Sequence, residues 1–473
     1  MSFIFSTDKP KELSEYLPAL YVALLVIGLW VPYGLAVFPI NDGWVALTGD
    51  PHFHGLKFFT SARREFRAIP LMLAHLSNGH TLELMNLELM TLDIFIFLGL
   101  YKLLTEIFPD QKTEAVAAAS LGLLFANDPT MLWLGAFGVN VSWGLMLWAS
   151  VCVIRSHDRG RRDYLWLGLI LLYTGARTYP GYIAFPVLMV LYFFYTRRLR
   201  ATTKLLSTAR YLGAIVLTLV IAIIPTMLAA IHGQARVGHV ASFNQASALS
   251  SFADQAIYLA YGWIEGISDR VGGDLWSWGS YSTLVAATLF LVWKSDMRES
   301  VVAEEPCDTG WSATLGMILL AIGLFVFGFL PYALSDVRTG HGRQLIVARF
   351  GLVLLFIYAP PMVAPKRLRR ISRMVIATLA AVAIVMFVQN KAWMFHERVR
   401  GSQRQELMMA EMLRELPCIS SGQSIVIEFT SDELVHTPGG SMLLNRPRYL
   451  FRYFYGRGDY QVVGVNNVLL RHE

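Results

Sequence analysis

The residue best placed to do chemistry in this sequence is an aspartate at the mouth of a membrane helix. Asp42 stands in Phe38-Pro39-Ile40-Asn41-Asp42-Gly43-Trp44, directly after an apolar run from Leu17 to Phe38. A carboxylate is costly near hydrocarbon, so one held at the water boundary is a candidate general base. The plainer reading is a loop acid that caps a helix or is simply solvated. Asp50 and the pair His52-Phe53-His54 follow. Alternate histidines beside an acid can share a divalent metal ion, and they can equally be ordinary loop residues. No third ligand at diagnostic spacing accompanies them.

A second set is cationic. Arg338, His341, Arg343 and Arg349 surround the start of an apolar run at 345–363, and Arg177 occupies the turn Arg177-Thr178-Tyr179-Pro180. Guanidinium groups grip phosphate oxygens bidentately, so these residues are candidates for holding an anionic headgroup. Arg349 lies one to two turns inside its apolar run, where a charge is expensive. It can also snorkel to the interface or pair with an acid such as Asp336. Arg177 has Asp128 as a possible partner. Glu83, Glu88 and Asp93 recur at five-residue spacing. That spacing does not put them on one helix face and argues against a proton relay along it. Glu88 and Asp93 are each expected to meet an arginine inside the bundle.

The elements that must position these groups are membrane helices. Of the 473 residues 55% are hydrophobic and 16% charged, and mean hydropathy is +0.47. Soluble chains carry about 25% charged residues. A membrane span needs roughly 20 residues, and apolar stretches of that length recur from Leu17 to Val388. The reading is a polytopic α-helical membrane protein. A β-barrel would show short alternating segments instead. The first run is too long for a cleavable signal and reads as an uncleaved span. Cys152, Cys307 and Cys418 imply neither a disulfide framework nor a thiolate metal site. The net charge of +6 resides in short loops, which points to membrane orientation and away from nucleic acid.

The pattern predicts about eleven spans, at 17–38, 84–105, 114–127, 138–154, 164–177, 179–196, 210–231, 277–293, 312–334, 345–363 and 373–389. Arg155, Arg159, Arg161 and Arg162 then share a side with Arg197, Arg198, Arg200, Lys204 and Arg210, and with Lys366, Arg367, Arg369, Arg370 and Arg373. The positive-inside rule makes that side cytoplasmic, along with the N-terminus. The long loops 39–68 and 232–276 and the tail are external. Residues 60–74 read as an amphipathic interfacial helix with Arg63, Arg64 and Arg67 on its polar flank, and 244–268 as a second. Interfacial anchors are expected at Trp30, Trp44, Trp133, Trp276, Trp278 and Tyr332. The tail is expected to carry a charged helix at 393–416, ended by Pro417, and strands at 424–429, 461–464 and 468–470. This organisation divides the chain into a transmembrane domain, 1–389, and an external α/β domain, 390–473.

This combination resembles the GT-C class of membrane glycosyltransferases. These proteins have many spans, a cytoplasmic N-terminus, a long first external loop with an acid just after the first span, and often a soluble external C-terminal domain. The resemblance is most specific over 17–135. Asn41–Trp44 stands where the family has its loop acid. Phe66–Leu71 stands where many members have a Gly-Arg-Pro-Leu-like start to a membrane-facing helix. Leu123–Gly135 resembles a Phe-Ala-x-His-Pro run before a Trp. The chain departs from the pattern in lacking that Gly, in having Asn127-Asp128-Pro129 in place of the His, and in having no second acid beside Asp42.

What the resemblance implies is inverting transfer of a sugar from a polyprenyl-phosphate carrier to a glycan, lipid or protein acceptor. The reaction would take place on the periplasmic face of a bacterial inner membrane. Asp42 would be the base. Arg349, Arg343, Arg177 and Arg67 would hold the lipid phosphate, and a divalent metal is a possible cofactor. Other readings stay open. His341 and Arg343 would suit a polymerase or ligase of lipid-linked glycans. A flippase or transporter would want paired half-structures, and no internal repeat is visible. A non-enzymatic scaffold would leave an intramembrane Arg349 without a use.

Overall fold

The computed structural model describes residues 13–37, 80–125, 137–199, 205–231, 310–333, 345–415, 424–428 and 461–465. It also describes short pieces at 250, 252–257, 282–283, 286–287, 290, 417, 436–437 and 440–441. In chain order the helices are α1 (Leu13–Trp30), α2 (Thr81–Ile107), α3 (Lys112–Leu124), α4 (Phe137–Arg159), α5 (Arg162–Thr178), α6 (Ala184–Leu199), α7 (Leu205–Ile231), α8 (Gly310–Ala333), α9 (Ile346–Val363) and α10 (Lys366–Glu415). The chain is a polytopic helical membrane protein. Among the described residues five helices are long and apolar enough to cross a membrane: α4, α7, α8, α9 and α10. A shorter apolar stretch, Leu20–Trp30, lies in α1.

The expectation of about eleven spans is therefore not supported. The reasons are length and charge. α3 has 13 residues, α5 has 17 and α6 has 16. α2 has 27 residues but carries Glu83, Glu88, Asp93, Lys102 and Glu106. The expected span at 277–293 falls mostly outside the described residues.

Helix packing defines two ends of the bundle. At one end ion pairs tie helix termini together. Arg155 near the end of α4 meets Glu106 near the end of α2 at 2.6 Å. Arg197 near the end of α6 meets Asp158 at 2.8 Å. Arg373 near the start of α10 grips Glu114 near the start of α3 through two nitrogens. Tyr195 of α6 donates to the Ser312 carbonyl at the start of α8 at 2.7 Å. Gly160 adopts φ +64° and ends α4, so that α5 turns back after two residues. Asp163 opens α5, and its hydrogen bond from Arg161 holds its carboxyl below the usual carboxylate range. The arginines at this end are those that the positive-inside rule assigned to one side.

At the far end Ser142 of α4 donates to the carbonyls of Gly175 and Tyr179 at the end of α5, each at 2.9 Å. Trp143 sits edge-on to Tyr182, Phe185 of α6 and Phe350 of α9. Small residues let the helices close up, as membrane helices require. A Cβ on Gly351 would stand 3.0 Å from the Ala321 carbonyl of α8, and one on Gly144 would stand 2.8 Å from the Phe95 ring of α2. Apolar side chains face outward on α5 (Trp166, Ile170), α7 (Leu217), α8 (Leu319) and α10 (Val382), as lipid contact demands.

The Glu114–Arg373 pair yields a first prediction. Glu114 is buried, with its side chain 8% exposed. Arg373→Ala strands that carboxylate, which costs about 3 kcal/mol, whereas Glu114→Gln with Arg373→Gln costs less because no lone charge remains. Thermal unfolding in detergent micelles measures both. Equal losses would show that the charges do not act as a pair.

α10 is one uninterrupted helix of 50 residues. At ~1.5 Å per residue it is about 75 Å long, against a hydrocarbon core of about 30 Å. It therefore joins two segments expected to be separate, a span at 373–389 and a tail helix at 393–416. The expected domain boundary at residue 390 lies inside it. Beyond α10, β1 (Ser424–Glu428) pairs in parallel with β4 (Gln461–Val465), Ser424 opposite Gln461 and Glu428 opposite Val465. A two-residue pair, β2 (His436–Thr437) with β3 (Gly440–Ser441), is antiparallel. The strand expected at 468–470 lies outside the described residues. These two small pairs do not support an α/β domain over 390–473, since residues 390–415 are a direct continuation of a bundle helix.

Candidate functional site

The first half of α2 and the outer half of α10 build a polar cluster around the exit of α1. α1 ends at Trp30, a 3-10 turn follows at Val31–Tyr33, and Gly34 takes φ +74° to redirect the chain. The side-chain nitrogen of Asn86, fully buried, donates to the carbonyls of Leu35 at 2.7 Å and Val37 at 3.1 Å, and to Leu82 within its own helix at 3.1 Å. Its oxygen accepts from Arg398 of α10 at 2.9 Å. The Arg398 guanidinium also lies over the Trp30 ring, 5.9 Å from its centroid, and Phe395 packs edge-on against the same indole at 4.9 Å. Trp30 Nε1 donates to Asp93 at 3.1 Å. Asp93 interacts electrostatically with Lys391. Asp93 and Lys391 are each 1% exposed.

Helix geometry explains why these groups meet. A seven-residue step returns to the same helix face, two turns along. Asn86 and Asp93 are such a pair on α2, and Lys391 and Arg398 are such a pair on α10. The two polar stripes face each other, with an outer pair, Asn86–Arg398, at the chain exit and an inner pair, Asp93–Lys391, about two turns deeper. Most buried polar groups are partnered, and here Arg398 donates to Asn86 while Asp93 interacts electrostatically with Lys391.

The structure corrects several readings of single residues. Trp30 is not an interfacial anchor: it is 1% exposed and bonded to Asp93. Among the described residues Asp93 meets Trp30 and Lys391, not an arginine. Arg398 is not one of a set of solvated tail charges, because α10 continues past residue 390 and buries it to 7% exposure. Arg349 is 3% exposed, so it does not snorkel to water. Its guanidinium stands over the Phe125 ring at 4.7 Å, a cation–π contact in a desolvated site. Phe125, Phe329, Leu345 and Ala348 form a separate apolar cluster there, with Phe252 against it. Arg177 is buried at the end of α5. Arg349 and Arg177 thus share the far end of the bundle with the Asn86–Arg398 contact. The aromatic group Trp143, Tyr182, Phe185 and Phe350 lies between the segments that carry them.

Asp42, Arg67 and Arg343 lie outside the described residues, as do Arg338, His341 and the metal candidates Asp50, His52 and His54. So do the segments 66–71 and 127–129 that carry part of the family resemblance. Among the described residues no group of three or more His, Cys, Asp or Glu side chains is arranged to hold a metal ion. Asn86, Lys391 and Arg398 went unrecognised in the sequence. Their signal was the matched seven-residue spacing on two helices. Comparison with known proteins returned no matching family model and no matching curated sequence.

Proposed function

We propose that this protein is a membrane glycosyltransferase of GT-C type, which moves a sugar from a polyprenyl-phosphate carrier to an acceptor hydroxyl. The far end of the bundle faces outward, to the periplasm if the membrane is a bacterial inner membrane. The observation that carries this reading is the fastening of Leu35 and Val37 by Asn86 at the end opposite the arginine-rich one. The chain leaves that fastening five residues before Asp42. Fully extended, five residues span at most about 17 Å. The same end holds two desolvated arginines, Arg349 and Arg177. Desolvated cations at the outward end of a lipid-facing bundle, where the chain leads on to a carboxylate, suit a reaction whose leaving group is a lipid phosphate.

In the proposed step the acceptor oxygen attacks the anomeric carbon of the donor, and its proton passes to the Asp42 carboxylate. The bond from the anomeric carbon to the phosphate oxygen breaks with its electron pair staying on that oxygen. Attack opposite the leaving group inverts the anomeric centre. Arg349 and Arg177, with Arg343 and Arg67, stabilise the charge that gathers on the departing polyprenyl phosphate. The bilayer holds the lipid tail, so the headgroup arrives preoriented.

The experiment is direct. The purified full chain in lipid nanodiscs receives a panel of polyprenyl-phosphate hexoses and pentoses with a glycan acceptor mixture. Released polyprenyl phosphate and the anomeric form of the product are read by mass spectrometry and NMR. The proposal expects release that depends on acceptor and yields inverted product. Product with retained configuration would exclude a single base-assisted displacement, and the absence of release across the panel would count against sugar transfer.

A further inference from the structure

We propose that Asn86 and Arg398 are positioning residues that couple the long outer helix α10 to the exit of α1. The inference deepens the sugar-transfer reading and rests on it for its consequence, because the coupled segment leads into the proposed base. The geometry itself stands on described residues alone.

Three contacts make a continuous chain. Arg398 donates to Asn86 Oδ1 at 2.9 Å. Asn86 Nδ2 donates to the carbonyls of Leu35 and Val37. These carbonyls belong to a non-helical stretch, so they have no helical partner there and the amide supplies one. An amide is suited to this place because it can accept from a cation on one side and donate to carbonyls on the other. A carboxylate would accept from Arg398 but repel the carbonyls, and an apolar side chain would leave all of these groups unpaired. Arg398 is in turn held over Trp30, the last residue of α1. Among the described residues its Nε is buried without a hydrogen-bond partner. The guanidinium meets, among the described residues, the Asn86 oxygen and the Trp30 ring, both at the α1 exit.

The consequence is that the register of α10 sets the geometry of the α1 exit. α10 extends 17 residues beyond Arg398, to Glu415, on the outward side. Movement of that outer section pulls on Arg398, then Asn86, then the backbone at Leu35–Val37. The device gives the C-terminal part of the chain a mechanical hold on the segment entering the first loop.

The test uses electron paramagnetic resonance and does not depend on sugar transfer. A nitroxide is attached at Ala36→Cys, between the two gripped carbonyls and on an exposed side chain. The background has Cys152→Ala, Cys307→Ser and Cys418→Ser, and each variant is checked for insertion in nanodiscs. The proposal expects an immobilised spectrum in this background. Asn86→Leu and Arg398→Met should each add a mobile component. The double variant should be no more mobile than Asn86→Leu alone, because Arg398 acts through Asn86. Arg398→Lys, which keeps a donor, should restore much of the immobilised line. Arg155→Met, at the opposite end, should leave the spectrum unchanged. If Asn86→Leu does not insert, Asn86→Asp replaces it, keeping the acceptor for Arg398 and losing the donors to the carbonyls. An unchanged spectrum in the Asn86 and Arg398 variants, additive mobility in the double variant, or equal mobility in Arg155→Met would overturn the coupling. If the spectra behave as expected while the chain transfers no sugar, the coupling stands and the glycosyltransferase reading falls.

Discussion

Asp93→Ala is expected to destabilise the folded protein by about 1–3 kcal/mol, the scale for leaving a buried polar group without its hydrogen-bond partner. Asp93 and Lys391 are both 1% exposed, and Asp93 also accepts the indole N–H of Trp30. Removing the carboxylate leaves a buried ammonium facing less negative charge and a buried indole N–H without its acceptor. Both losses fall at the junction of α1, α2 and α10. Asp93→Asn should cost less, because an amide oxygen remains for Trp30. Combining Asp93→Asn with Lys391→Met should be non-additive, because the two groups interact electrostatically. Cys152 offers a readout, since it is a buried free thiol in the body of α4. With Cys307 and Cys418 changed to Ser, a thiol-reactive fluorophore reports unfolding in detergent as Cys152 becomes accessible. A midpoint for Asp93→Ala within the range of ordinary surface substitutions, about ±0.5 kcal/mol, would show that the pair contributes little.

The membrane class and the position of most helices were legible in the sequence because hydropathy reports directly on lipid exposure. The apolar runs at 138–154, 312–334 and 345–363 became α4, α8 and α9 with shifts of a few residues at most ends. The arginine-rich loops also predicted one end of the bundle, where Arg155, Arg197 and Arg373 now hold Glu106, Asp158 and Glu114. What composition could not convey was length without a break. Residues 390–403 carry Asn390, Lys391, His396, Glu397, Arg398 and Arg400, and so read as leaving the membrane in a separate helix. Tertiary contacts override that local signal. Lys391 and Arg398 are buried because α1 and α2 supply Trp30, Asn86 and Asp93 as partners.

The same physics accounts for the uneven reading of the site. Arg349 was visible because it is a lone charge in an apolar run. Asn86 and Trp30 were not, because an amide near a helix start and an indole at a helix end are ordinary in such places. Only their partners, distant in sequence, distinguish them. The hydrogen bond from Arg398 to Asn86 joins residues 312 positions apart. Spacing alone held a usable hint, the seven-residue steps Asn86–Asp93 and Lys391–Arg398. It gave no sign that the two stripes face each other.

The central claim is that Asp42 takes the acceptor proton, and the Asp42→Asn variant tests it most directly. Asparagine keeps the size of the side chain and removes its basicity. General-base assistance contributes about 10²–10⁴-fold to such reactions. The measurement is the rate of sugar transfer from a polyprenyl-phosphate donor by Asp42→Asn chain shown to be inserted in nanodiscs, set against the unsubstituted chain at equal protein. The account predicts a fall of at least about 100-fold in turnover with little change in donor affinity, because the arginines proposed to hold the phosphate are untouched. Transfer by Asp42→Asn at the rate of the unsubstituted chain would contradict it.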